Sequence, residues 1–122
     1  MKNIIPVFKK AIAADMELTK QANKLMPTRR LGLLLCTGLH VVEAQSKTVR
    51  AMHIYALGLQ LANCSYSASI VSGTAGSIDS AIIWHKHGFK VYAKKQVVSA
   101  AKEIALMVVA GVITKAMEGK QK

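Results

Sequence analysis

Apolar residues recur at three- and four-residue intervals over most of this chain, which is the period of a helix packed on one face. The first such stretch runs from Ile4 to Met26. Ile5, Phe8, Ile12, Met16, Leu18, Ala22 and Leu25 mark its apolar side, with Lys9, Lys10, Asp15, Lys20 and Lys24 interleaved. Pro6 falls in the first turn, where a missing N–H costs nothing, and Pro27 stops the helix. Thr28 is the expected N-cap of the next one.

A second apolar segment, Leu31 to Ala44, carries Leu31, Leu34, Leu35, Leu39 and Val42 on one side. Only some 12 residues long before Glu43, it is too short to cross a bilayer, so it reads as a buried bundle helix. Gly32 and Gly38 leave flat patches on it against which another helix can lie. From residue 48 to 84 the sequence is nearly uncharged and dominated by small residues in its second half. Two ladders of small residues run through it, Ala68–Ser72–Gly76 and Ser65–Ser69–Gly73–Ser77. Such ladders let helix backbones approach closely, as packed helices do in lipid. The last helix is expected over residues 97–117, where Lys102, Glu103 and Lys115 confine the uncharged run to Ile104–Thr114. That run reads as a packing helix, or as one entering a membrane obliquely.

The pattern predicts an all-α fold of four or five helices in one domain, 1–122. It comprises a basic amphipathic helix over 1–30, a weakly hydrophobic central helix over 48–84 and an apolar C-terminal helix over 97–117. The central stretch admits either a membrane-embedded helix near residues 53–77 shielded by partner helices, or a buried soluble helix or helix pair.

Composition narrows the class. The chain has 122 residues, 52% hydrophobic, with 17 Lys+Arg against 6 Asp+Glu and a net charge of +11. That is one domain, too apolar to be a disordered polyelectrolyte. Two cysteines, Cys36 and Cys64, exclude a disulfide-rich scaffold. The charge is unevenly placed. Residues 1–30 carry a net +5, residues 51–78 carry no charge at all, and residues 79–95 carry +3. A basic start also fits some of a mitochondrial targeting pattern. Asp15, Glu17 and the lack of arginine before Arg29 favour an ordinary helix retained in the mature protein.

Candidate chemistry is sparse. His85 and His87 diverge by about 200° on a helix, with no cysteine or carboxylate beside them in sequence. Cys36 and His40 share a helix face in an apolar segment, as a small packing cysteine and a satisfied core histidine do. Glu43, Asp79 and Glu103 are far apart in sequence, so no paired acid–base site is indicated. No nucleotide-binding loop or nucleophile motif is present. Catalytic, metal and cofactor residues are therefore not expected.

The segment Asp79-Ser80-Ala81-Ile82-Ile83-Trp84-His85-Lys86-His87-Gly88-Phe89 resembles the region of peroxisome-elongating peroxins that follows a membrane-dipping helix. The resemblance covers some 11 of 122 residues. It implies a membrane-apposed, membrane-shaping role and nothing about a reaction.

Three groups of residues stand out as candidate contacts. Ala68, Ser69, Ser72, Gly73 and Gly76 form the helix-packing ladder. Trp84, Lys86, Lys90, Lys94 and Lys95 look like an interfacial anchor, an aromatic with lysines at the end of a neutral span. Lys9, Lys10, Lys20, Lys24, Arg29 and Arg30 form an N-terminal basic patch. The function expected from these is a non-catalytic accessory subunit of a membrane-associated complex, such as a respiratory or ATP synthase assembly of a mitochondrial or other energy-converting inner membrane. Its partners would be other subunits and anionic phospholipid. The competing expectation is a basic, ribosomal-type RNA-associated protein that reads phosphate rather than bases.

Overall fold

The computed structural model describes residues 4–121, with side chains for residues 4–119. Among these residues the chain is five helices and no strand: α1 Ile4–Leu25, α2 Arg29–Glu43, α3 Lys47–Leu61, α4 Ser65–His87 and α5 Phe89–Gln121. The all-α expectation holds. Lys120 and Lys122 of the tail lie outside the described side chains.

Helices α2, α3, α4 and α5 form a ring in which each touches the next and α5 closes back onto α2, while α1 lies against α4 and the start of α2. The neutral stretch 48–84 is not one helix. Asn63 adopts a left-handed φ of 63°. The Asn63 N–H donates to Gln60 O at 3.1 Å and the Cys64 N–H to Leu59 O at 2.8 Å, the paired bonds of a Schellman stop. Residues 53–77 therefore fall on both α3 and α4, and no single span runs through them.

The other boundaries have local causes. Thr28 occupies the N-cap position of α2 but has helical backbone angles and makes no side-chain cap bond. Ser46 does cap α3, its hydroxyl accepting from the Val49 N–H at 3.2 Å. Gly88, with φ of 84°, ends α4 and lets α5 begin at once. The last helix thus starts eight residues before the expected Val97.

The interior is small and polar. Ala56, Ala68, Ala75 and Ala110 are fully buried, as is Val49, and beside them sit Asp15, Thr19, Thr37, His53, Gln60 and Ser65. No buried side-chain polar atom among the described residues lacks a hydrogen-bond partner, which is the condition for burying such groups without a large penalty. Large apolar side chains lie outside: Ile4, Ile5 and Phe8 on α1, Ile70 on α4, and Ile104, Val108 and Val112 on α5 are all exposed. Small apolar and hydrogen-bonded polar groups share the interior, and many large apolar side chains stay outside it.

α5 carries this furthest. Residues Phe89–Gly119 form the one helix among the described residues that is long and apolar enough to cross a membrane, by length and composition. Those 31 residues rise about 46 Å at 1.5 Å each, against roughly 30 Å for a hydrocarbon core. The candidate span is α5, not the central neutral stretch.

Candidate functional site

Between α2, α4 and α5 runs an open groove with two connected lobes, of about 1280 Å³ and 880 Å³. They meet at His40, Gly73, Gly76, Ala100 and Glu103, which line both. His53 and Gln60 of α3 form the floor.

One polar node ties the four helices together at that meeting point. His40 of α2 stacks on His53 of α3, ring centroids 5.1 Å apart and planes 17° from parallel. His40 Nε2 lies 2.5 Å from Glu103 Oε1 of α5, and His53 Nδ1 lies 3.1 Å from the Ser72 hydroxyl of α4. Burial holds the His53 imidazole below its usual pKa, and the neighbouring His40 adds to this, against a smaller upward pull from Asp79. A neutral His53 is the form that suits a buried stacked pair.

The carboxylates that are isolated in sequence meet around this groove, and each is engaged. Glu43 pairs with Lys102 at 2.5 Å. Asp79 accepts from the Gln45 N–H at 2.8 Å, holding the α2–α3 turn onto α4. Cys36, half-buried on α2, directs its thiol at the Glu103 carbonyl oxygen at 3.8 Å. Burial and then the Glu103 charge push its pKa up, so it stays a thiol rather than a nucleophilic thiolate. Both cysteines are free. Among the described residues no group of three or more His, Cys, Asp or Glu side chains is placed to hold a metal ion. The arrangement fastens α5 to the rest of the bundle.

The small-residue ladder splits. Ala68 is fully buried and Ser72 half-buried, whereas Ser69 and Gly73 are exposed. A Cβ added at Gly73 or Gly76 would meet nothing within 4 Å. Their open side faces the groove, so the ladder is not a close helix contact within this chain. The close approach lies elsewhere, at Gly32 of α2, where an added Cβ would overlap the Met107 thioether of α5. The sequence signal for it is Gly32 itself, a flat patch on the second helix.

The interfacial group comes together. Trp84, Lys86, Lys90, Lys94 and Lys95 are all exposed around the α4–α5 turn, and Trp84, Lys94 and Lys95 border one mouth of the groove. The basic N-terminal patch divides. Lys9, Lys10, Lys20 and Lys24 are exposed on α1. Arg29 lies 5.4 Å over the Tyr66 ring and donates to Asn23 Oδ1 at 3.3 Å, while Arg30 reaches the Leu61 carbonyl oxygen at 3.5 Å. Both arginines are drawn into internal contacts.

A second polar site is one that sequence reading missed. Asp15 of α1, only 6% exposed, caps the start of α4 from outside it. Its carboxylate accepts the Ser67 N–H at 2.8 Å, the Tyr66 N–H at 3.1 Å and the Thr19 hydroxyl at 3.1 Å. Thr19 accepts in turn from the Ser65 N–H at 3.1 Å. Because the one Thr19 proton goes to Asp15, the Ser65 hydroxyl at 3.0 Å is the donor to Thr19. Burial alone raises the Asp15 pKa, but the hydrogen bonds from Ser67, Tyr66 and Thr19 outweigh it and the net shift is downward.

Comparison with known proteins adds no relative: no family model, no curated protein and no solved structure matches the chain.

Proposed function

We propose that the chain is a non-catalytic structural subunit of a membrane-associated assembly, with α5 in the bilayer and the groove face turned to neighbouring subunits. The observation that carries this is the set of large apolar side chains left exposed beside a small, partly polar interior. A satisfied polar interior beside exposed Ile104, Val108 and Val112 suits lipid or partner helices as surroundings and is costly in water.

The His40–His53–Glu103 node supports a scaffolding role, since every member is engaged in holding helices together. The open side of Gly73 and Gly76 would admit a helix from another subunit, because small residues let backbones approach. An energy-converting inner membrane, the mitochondrial one included, is a setting whose anionic lipids would match Lys86, Lys90, Lys94 and Lys95.

Alkaline carbonate extraction and native electrophoresis in mild detergent test this together. The chain should stay with the membrane pellet and migrate well above its 13.2 kDa. Gly73→Leu should leave the pellet fraction unchanged and lower the share found in the assembly. Release by carbonate with migration as a monomer would overturn the proposal.

A further inference from the structure

On α1, positions 4, 8, 12, 15, 19 and 22 follow one another at three- and four-residue steps and so share one face. That face changes character half-way. Its C-terminal half, Asp15 and Thr19, is polar and buried against the start of α4. Its N-terminal half, Ile4, Phe8 and Ile12, is apolar and exposed, and every residue from Ile4 to Ala14 is exposed. The polar half is docked and the apolar half is bare, the reverse of what water rewards.

We infer that the first three turns of α1 lie in the headgroup layer of an anionic bilayer, hinged on the Asp15–Thr19 latch. Ile4, Ile5, Phe8 and Ile12 would enter the acyl boundary, while the exposed Lys10 and Lys24 opposite the stripe and Lys9 and Lys20 at its flank would meet anionic headgroups. A strongly amphipathic helix with lysines on its polar face and Phe or Ile on the other is the sequence type that binds membranes in this way. A nucleic acid would engage the lysines and leave the apolar stripe in water. The inference deepens the membrane placement proposed above and rests on it for where the lipid is found.

The chain holds one tryptophan, Trp84, so Phe8→Trp in a Trp84→Phe background places a sole reporter on the stripe. The full chain is reconstituted into phosphatidylcholine vesicles with or without phosphatidylglycerol. Emission should shift to the blue and be quenched by chain-brominated lipid in the vesicles that contain phosphatidylglycerol. The shift should be lost in phosphatidylcholine alone. Converting Lys9, Lys10 and Lys20 to Gln should weaken the bound state about fivefold per lysine.

A water-like emission in the anionic vesicles, in a chain that resists carbonate, would overturn the inference while leaving α5 in the membrane. A blue shift that grows with protein concentration in neutral vesicles would overturn it too, since a second copy then covers the stripe. If carbonate releases the chain yet the blue shift still requires phosphatidylglycerol, the inference stands and the membrane-spanning reading of α5 fails.

Discussion

Replacing Asp15 by Ala should detach α1 from the bundle and fray the start of α4. The α4 N-terminus has no cap of its own, since Cys64 at that position makes no side-chain capping bond. Its first N–H groups are satisfied by Asp15 and Thr19 of another helix, between 2.8 and 3.1 Å. Loss of a capping side chain costs about 0.5–2 kcal/mol. Here the Ser67 and Tyr66 donors and the Thr19 hydroxyl also lose an ionised acceptor in a nearly closed site, at roughly 1–3 kcal/mol for a group left unpaired. A total near 2–4 kcal/mol is a large share of the 5–15 kcal/mol that typically holds a domain.

Amide hydrogen exchange reads this locally. In Asp15→Ala the Tyr66 and Ser67 amides should exchange faster, together with the amides of α1, while Val49 and Ala56 in α3 keep their protection. Asp15→Asn, which retains one carbonyl acceptor, should fall between. The acid dependence has a definite sign. Asp15 is held below its ordinary 3.8, so its contribution is present above that value and is lost as pH falls through the lower folded pKa. The wild-type latch should open in that acid window, and Asp15→Asn should lack the step. Unchanged exchange at Tyr66 and Ser67 in Asp15→Ala would show that the carboxylate does not hold α4, and the latch would be refuted.

Three further outcomes can be checked by thermal or denaturant unfolding. Asn63→Val should cost about 1–2 kcal/mol, because a branched residue resists the left-handed backbone that ends α3, whereas Asn63→Gly should be close to neutral. Gly32→Leu should destabilise by about 1 kcal/mol, the low end for overpacking, because the flexible Met107 thioether can swing aside, while Gly73→Ala should gain up to about 1 kcal/mol from helix propensity, having nothing to collide with. His53, with a depressed folded pKa, contributes stability above its ordinary 6.5 that is lost as pH falls toward the folded value. His53→Gln should flatten that region of the stability profile, and an unaltered slope would count against a neutral buried imidazole.

The helical period alone carries most of the fold, and the misplaced boundaries trace to capping chemistry. α1 ends within a residue of its expected stop because Pro27 leaves little choice. The break at Asn63 is visible as a residue type tolerant of left-handed backbone, but Asn also reads as an ordinary polar residue within a helix. The bonds that distinguish the two run to Leu59 and Gln60 and appear only once the chain has turned. Asp15 is hidden for another reason. Its partners are backbone N–H groups some 50 positions away, and a donor common to every residue but proline leaves no mark in a sequence.

α5 is the candidate span by length and composition, and the placement of its charges shows why it differs from the expected one. Along the chain, Lys102 and Glu103 interrupt the apolar run of the last helix and shorten it to Ile104–Thr114. In the folded chain Lys102 pairs with Glu43 and Glu103 with His40, both across the groove on α2. Both side chains reach across to α2 in partly exposed pairs, while Ile104, Val108 and Val112 of α5 stay apolar and exposed. The neutral central stretch misleads in the opposite direction. Its small residues Ser72, Gly73 and Gly76 line a groove, and the stretch is divided between α3 and α4 at Asn63. A run of residues read along the chain does not show which charges are already paired with another helix. Only the pairing partners do, and here both lie on α2.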